Sequence, residues 1–415
     1  VLEATKETNP SYGRGLINIE NANNVKIIGR GTINGNGTYW RPKGGWYSLI
    51  LMKNANNISL RDILIQDPAV ANVWMSYSEN VNIYNIKILA SPQPEFLNTD
   101  GFDFWSSRNI TIDNVLYKGT DDATSIGGDK NGAIQNSENI NIKNSVFYGG
   151  NGFKIGASAK QDFIRNITYE NIDVVFANEV SGFWPVTGAN FENIYFKNIR
   201  VEDILDAPQK DKAALLWNWN IRPVSWQEGS SSDKLGYIRN VYVYNLKVDD
   251  RGGAKSVFHG YDAQRNISVN FANFYLEGNQ VLNSNDAYFD VQNQFIDLNF
   301  TNSNPAIVNI NVPDSDASES GDAGQFLVTR TGDTSQALTV NYIIRGTAEN
   351  GIDYQTIPNS ITIPAGASSA SIGILPKSDS INERTETVFL GLENVPNSIN
   401  YMLGPDFHAV VNIRD

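Results

Sequence analysis

The sequence predicts an all-β chain, a parallel β-solenoid followed by a small antiparallel β-sandwich, and three observations carry that reading. An asparagine-led strand pattern recurs from Asn24 to Asn266. No segment between its copies is long or periodic enough for a packed crossover helix. The composition also changes abruptly near residue 305, which places a domain boundary there and divides the chain into residues 1–304 and 305–415. Residues 301–415 carry 13 acidic and five basic side chains, and all eight tryptophans lie at or before Trp226.

The repeat comes first because it decides the fold. Asn followed by Ile or Val opens an alternating apolar/polar strand at Asn24, Asn57, Asn80, Asn109, Asn139, Asn166, Asn193, Asn240 and Asn266, with spacings of 23–33 residues apart from one of 47. Copies such as NVNIYNIKI, NITIDNVLY and NVYVYNLKV bury one face. Strands returning at this interval without helices describe stacked coils, each covering the apolar face of the last. Aligned asparagines at the turn would form a hydrogen-bonded ladder, so their expected role is structural. The interval of 47 holds LLWNW at 215–219 and is either a degenerate coil or a coil with a long loop.

Composition narrows the function. The chain has 415 residues, no cysteine and a formal charge of −13. No disulfide can brace it, and it has no cationic surplus for phosphate backbones or anionic lipid. Neither nucleic acid nor a membrane is an expected partner. No run approaches the roughly 20 apolar residues of a membrane span, so a soluble chain is expected, and the start at Val1 rather than Met fits a processed or trimmed one.

Using the repeat as a ruler brings acidic residues together. If Ser91–Asn98 bulges out as a loop, Thr99-Asp100 falls on Thr120-Asp121, and Gly150-Asn151-Gly152 occupies the next coil. Asp100, Asp121 and Asn151 would then stack at about 4.8 Å per coil, with Asp122 beside Asp121. Carboxylates this close repel one another and split their titrations, holding one protonated near neutrality. An acid and a base drawn from one residue type are what glycoside hydrolysis requires. A cation site and a solvated turn cluster are the alternatives.

Three segments, GTINGNG at 31–37, NTDGFD at 98–103 and GTDD at 119–122, resemble the polygalacturonases, glycoside hydrolase family 28. The resemblance spans roughly residues 15–290 and implies a right-handed parallel β-helix and an inverting hydrolase that needs no catalytic cofactor. It implies Asp121 as general acid, Asp100 and Asp122 as the pair activating water, and Asp103 as a further acidic position that braces the turn. Two departures stand out. Asn151 replaces the family's histidine, and Phe183-Trp184-Pro185 stands near the place of its Arg-Ile-Lys motif, which grips the galacturonate carboxylate. A neutral or modified glycan is therefore expected, as for the related dextranases, with Lys154 and Arg165 as possible substitutes for the missing cations. Asn151, Lys154, Asp103 and His259 are the polar candidates for substrate contact. All eight tryptophans are candidate stacking platforms, with Trp184, Trp217 and Trp219 placed in turns or insertions beside the cleft.

Residues 307–415 read as seven short alternating strands and predict the sandwich. ESGD at 319–322, GIDY at 351–354 and DSINERTE at 379–386 resemble the Calx-β domain. Such domains bind Ca²⁺ at one end, which implies Glu319, Asp353, Asp379 and Glu383 as ligands, with Glu386 as a further one. The expectation is a secreted or cell-surface, monomeric polysaccharide hydrolase. A non-catalytic glycan-binding adhesin is the rival, and a calcium-assisted lyase is disfavoured by the carboxylate-rich pattern.

Overall fold

A computed structural model describes residues 1–7, 15–90, 98–204, 215–250, 255–287, 289–301, 306–378, 384–393, 401–404 and 406–414. They form two compact units, Val1–Asn302 and Ser303–Asp415.

The first unit is a parallel β-helix. One sheet stacks Ser48–Lys53, Val73–Ser76, Phe102–Trp105, Asp122–Gly128, Asn151–Ala159, Glu179–Trp184, Leu215–Asn220 and Lys255–His259 in that order, all parallel. A second sheet runs through Glu79–Leu89, Arg108–Lys118, Ser137–Tyr148, Phe163–Phe176, Asn190–Val201, Ile238–Val248 and Ile267–Leu276. The interval of 47 is a full coil: Leu215–Asn220 pairs on both sides, and the extra length lies in the segments flanking it.

The sequence bends each coil with asparagine. Asn80, Asn109, Asn139, Asn166, Asn193 and Asn240 all have φ between 53° and 57°, a left-handed conformation that asparagine tolerates better than other side chains. Their amides form the expected ladder: Asn139 Nδ2 donates to Asn109 Oδ1 at 3.0 Å, and Asn166 Nδ2 to Asn139 Oδ1 at 3.0 Å. Asn266 leaves the ladder and accepts from Arg239 Nε instead, at 2.6 Å. A second ladder runs five residues further on, where Asn171 donates to Asn144 at 3.0 Å and Asn198 to Asn171 at 2.9 Å. Between the bends, inward residues such as Ile112, Ile142, Phe153, Ile167 and Phe196 are fully enclosed.

The second unit packs a four-stranded sheet and a five-stranded sheet around Val308, Phe326, Val340, Tyr342, Ile374, Leu390 and Val411. Each of the seven expected strands is present, joined by two short ones, Asp316–Ser318 and Tyr401–Leu403.

Candidate active site

The carboxylates gather where the first sheet begins three successive strands. Thr99 and Thr120 meet through their hydroxyls at 2.9 Å, an offset of 21 residues. The ladder that follows pairs Phe102 with Thr124, an offset of 22. One extra residue therefore sits between Thr120 and Thr124, a local slip of the bulge kind, and it brings both Asp121 and Asp122 beside Asp100. The slip also corrects the expected column, because Asn151 pairs with Asp122 rather than Asp121.

Each carboxylate is held differently. Asp121 Oδ2 accepts the Asn98 N–H at 2.6 Å and its Oδ1 accepts the Asp122 N–H at 3.0 Å. Asp122 Oδ1 accepts from Asn151 Nδ2 at 2.7 Å. Asp103 is buried and shares a hydrogen bond with Asp100. Beneath them, the Tyr117 hydroxyl donates to the Asp121 carbonyl at 2.9 Å. Gly150, at φ 65°, lets the next coil pass underneath, since a Cβ there would lie 2.0 Å from the Asp121 carbonyl oxygen.

Burial and the neighbouring carboxylates raise the pKa values of Asp100, Asp103 and Asp122. Burial, then Asp103, Asp121 and Asp122, holds Asp100 well above the usual carboxylate range. Burial pushes Asp103 up to about 8. Asp122 rises to about 6 for the same reason, restrained by the Lys154 ammonium. The cluster thus retains protons near neutrality as a coupled unit.

Two cations face the group. Burial opposes the charge on Lys154, but Glu179 and Asp122 outweigh it and raise its pKa; its ammonium pairs with Glu179 at 3.3 Å. Glu179 also accepts from Asn218 Nδ2. Arg41, from the turn Arg41–Lys43, feels the charges of Asp121 and Asp100 while burial lowers its pKa. Arg41 and Glu179 are contributors that sequence reasoning missed. Glu179 stands in the same repeat-aligned column as Asp122 and Asn151, so the ruler could have found it. Arg41 lies outside the repeat, and no spacing signals it.

Other expected contacts do not converge here. Trp217 and Trp219 point into the solenoid and are fully buried; the Trp219 ring stacks on Phe183 at 4.5 Å. Their assignment as sugar platforms is corrected, because alternation along Leu215–Asn220 turns both inward. Trp184 is on the outward row but lies beneath Trp226, ring centroids 5.4 Å apart. His259 is four coils from Asp122, roughly 19 Å along the solenoid axis alone at the usual strand spacing, and four residues further along its strand than Lys255 in the Asp122 column, with burial and Arg222 lowering its pKa. Arg165 is engaged by Glu138 at 2.8 Å in the other sheet. With Lys154 and Arg41 beside the carboxylates, the premise of a site without cations, on which the neutral-glycan expectation rested, does not hold.

In the second unit, Asp379 and Glu383 lie outside the described residues. Glu319 and Asp353 are described, but no group of three His, Cys, Asp or Glu side chains with metal-holding geometry exists among the described residues. The Asp353 carboxylate instead accepts the Glu349 N–H at 2.6 Å.

Comparison with known proteins completes the picture. The family model Glycosyl hydrolases family 28 matches residues 2–209, and the Calx-beta domain model matches residues 302–415. The chain is 28% identical over 243 residues to a putative galacturan 1,4-alpha-galacturonidase A of Aspergillus niger, covering 53% of this chain and 47% of that protein. It thus spans about half the length of the curated relatives it matches. The fold is similar to that of an exopolygalacturonase from Thermotoga maritima, with a TM-score of 0.55, 20% identity and coverage of 69% of this chain and 71% of that one. A polygalacturonase from Erwinia carotovora gives a TM-score of 0.52 at 19% identity, covering 69% and 73%.

Proposed function

Because the chain belongs to glycoside hydrolase family 28, we propose that it hydrolyses glycosidic bonds in a uronate-containing polysaccharide of the pectin type, with inversion at the anomeric carbon. The observation that carries this reading is the four-aspartate cluster faced by Lys154 and Arg41. Asp121 passes a proton of the coupled cluster to the leaving oxygen. Asp100 and Asp122 position and deprotonate the attacking water, Asn151 orients Asp122, and the nearby cations offset a uronate carboxylate. Its relatives named for galacturonan cleavage support the pectin class. A secreted protein acting on an extracellular polymer accords with that class, and calcium binding in the Calx-β unit is proposed on the family match alone.

Incubation with polygalacturonate, followed by reducing-end assay and proton NMR of the first-formed anomer, tests the proposal. Release of an inverted product is expected. A retained anomer, or an unsaturated product absorbing in the ultraviolet, overturns it.

A further inference from the structure

Glu179 is an acidic side chain at the edge of the catalytic group that the proposed reaction does not use, and both of its oxygens are engaged. Oε1 accepts from the Lys154 ammonium at 3.3 Å and Oε2 from Asn218 Nδ2. The Asn218 amide is fixed in that sense, because its own oxygen accepts from Asn220, a residue 1% exposed. Lys154, Gly182 and Asn218 follow one another as ladder partners on three successive coils. Glu179 folds across the bare middle of that row: a Cβ on Gly182 would lie 1.9 Å from Glu179 Oε1 and 3.2 Å from Lys154 Cδ. Asp122, Asn151 and Glu179 form a second column over three successive coils. Lys154 comes from the coil between the two carboxylates, so its ammonium can lean to either side, and it is bonded to Glu179.

We propose that Glu179 is a positioning residue for the catalytic base: with Asn218 it holds the Lys154 ammonium off Asp122. The inference rests on the hydrolase reading above, which assigns that base. An ammonium resting against Asp122 would stabilise its ionised form and make it a weak acceptor of the water's proton, whereas a base works best when its pKa lies near the operating pH. Drawn toward Glu179, the same ammonium restrains Asp122 without neutralising it, and Asp122 stays at about 6. The other groups facing Asp122 are Asp121 on its own turn, Asp100 and Asp103 on the preceding coil, and the buried Tyr117 and Tyr169 hydroxyls. Arg41 faces Asp121 and Asp100 instead, so the cation whose place governs Asp122 is Lys154.

The test follows the Asp122 carboxyl through a pH titration, by NMR of the full chain labelled with carbon-13 at its aspartate carboxyls. Loss of one signal in Asp122→Asn identifies it. Glu179→Gln should lower the midpoint by about one pH unit, as the released ammonium turns to Asp122. Gly182→Ala displaces the Glu179 carboxylate with a methyl group and leaves every charge in place. It should shift the midpoint in the same direction, and it serves if the glutamine variant does not fold. In a Lys154→Met background Glu179→Gln should move the midpoint much less, since only direct repulsion between the two carboxylates is then removed. Equal shifts with and without Lys154, an unmoved midpoint, or a raised one overturns the role. The acid limb of kcat/KM on polygalacturonate should move down with the midpoint, and a limb that stays put while the midpoint moves overturns any part of Glu179 in the reaction. Because the titration needs no substrate, a chain that fails to cut polygalacturonate refutes the reaction while the titration still decides what holds Lys154.

Discussion

Asp103 and Asp122 bind protons in the folded chain at pH values where the unfolded chain has released them. Their folded values, about 8 and about 6, lie above the ordinary aspartate value near 3.9. The native state therefore holds more protons than the unfolded one between about pH 4 and pH 8, and stability falls as pH rises through that window. The penalty is complete above about pH 8 and absent below about pH 4. Thermal melting should thus occur at higher temperature at pH 5 than at pH 8. Asp103→Asn should flatten the dependence and stabilise the protein at pH 8 by about 1–3 kcal/mol; a variant with unchanged pH dependence would show that the carboxylates are not strained. Catalysis has the opposite demand. In the mechanism proposed above Asp122 is ionised to act as base, so kcat/KM should decline below about pH 6. Lys154→Met should move that limb upward and Lys154→Arg restore it, measured as full pH profiles. Asp121→Asn should lower kcat by about 10²–10⁴-fold with little change in KM. The aspartates were legible because two short motifs fall at a repeat-compatible spacing. Arg41 was not, since its place depends on how an irregular turn folds against a sheet starting dozens of residues later.

At the level of the element, each coil is fixed by an asparagine that satisfies two demands at once, a left-handed backbone and an amide bonded to the coils on either side. The two demands separate by mutation. Asn139→Gly keeps the backbone conformation and loses the bonds to Asn109 and Asn166, while Asn139→Ala loses both. Denaturant titration should find the alanine variant less stable than native by about 2–4 kcal/mol and the glycine variant by about 1–2 kcal/mol. Equal losses would mean that the left-handed turn contributes nothing. The first ladder was legible because Asn opens every copy of the repeat. The second occupies the sixth position of copies such as NVNIYNIKI, an equally regular signal that the strand alternation overlies. Trp217 and Trp219 were misread for a different reason. Alternation gives two faces without saying which is inside, and LLWNWN buries its tryptophans while Asn218 faces out. The one-residue slip that pairs Asn151 with Asp122 leaves no sequence mark at all, because hydrogen-bond register in a turn is settled by packing.

For the whole molecule, an absence of cysteine leaves two units whose stability rests on different cores. If the Calx-β unit holds calcium, chelation by EGTA should lower its melting temperature and leave the β-helix transition unmoved, as ligand binding stabilises only the unit that binds. Calorimetric scans with and without chelator check this, and identical scans would remove calcium from the account. The two-unit division was legible from charge and tryptophan distribution, and both fold types from strand spacing. The stacking of coils has a further effect on how specificity can change. Moving a tryptophan from one coil to the equivalent position on the next displaces it by about 4.8 Å and keeps the direction it faces. Moving it by one residue along its own strand turns it into the interior. Variation that preserves the fold is therefore confined to discrete translations along the solenoid axis, the direction in which successive coils are stacked.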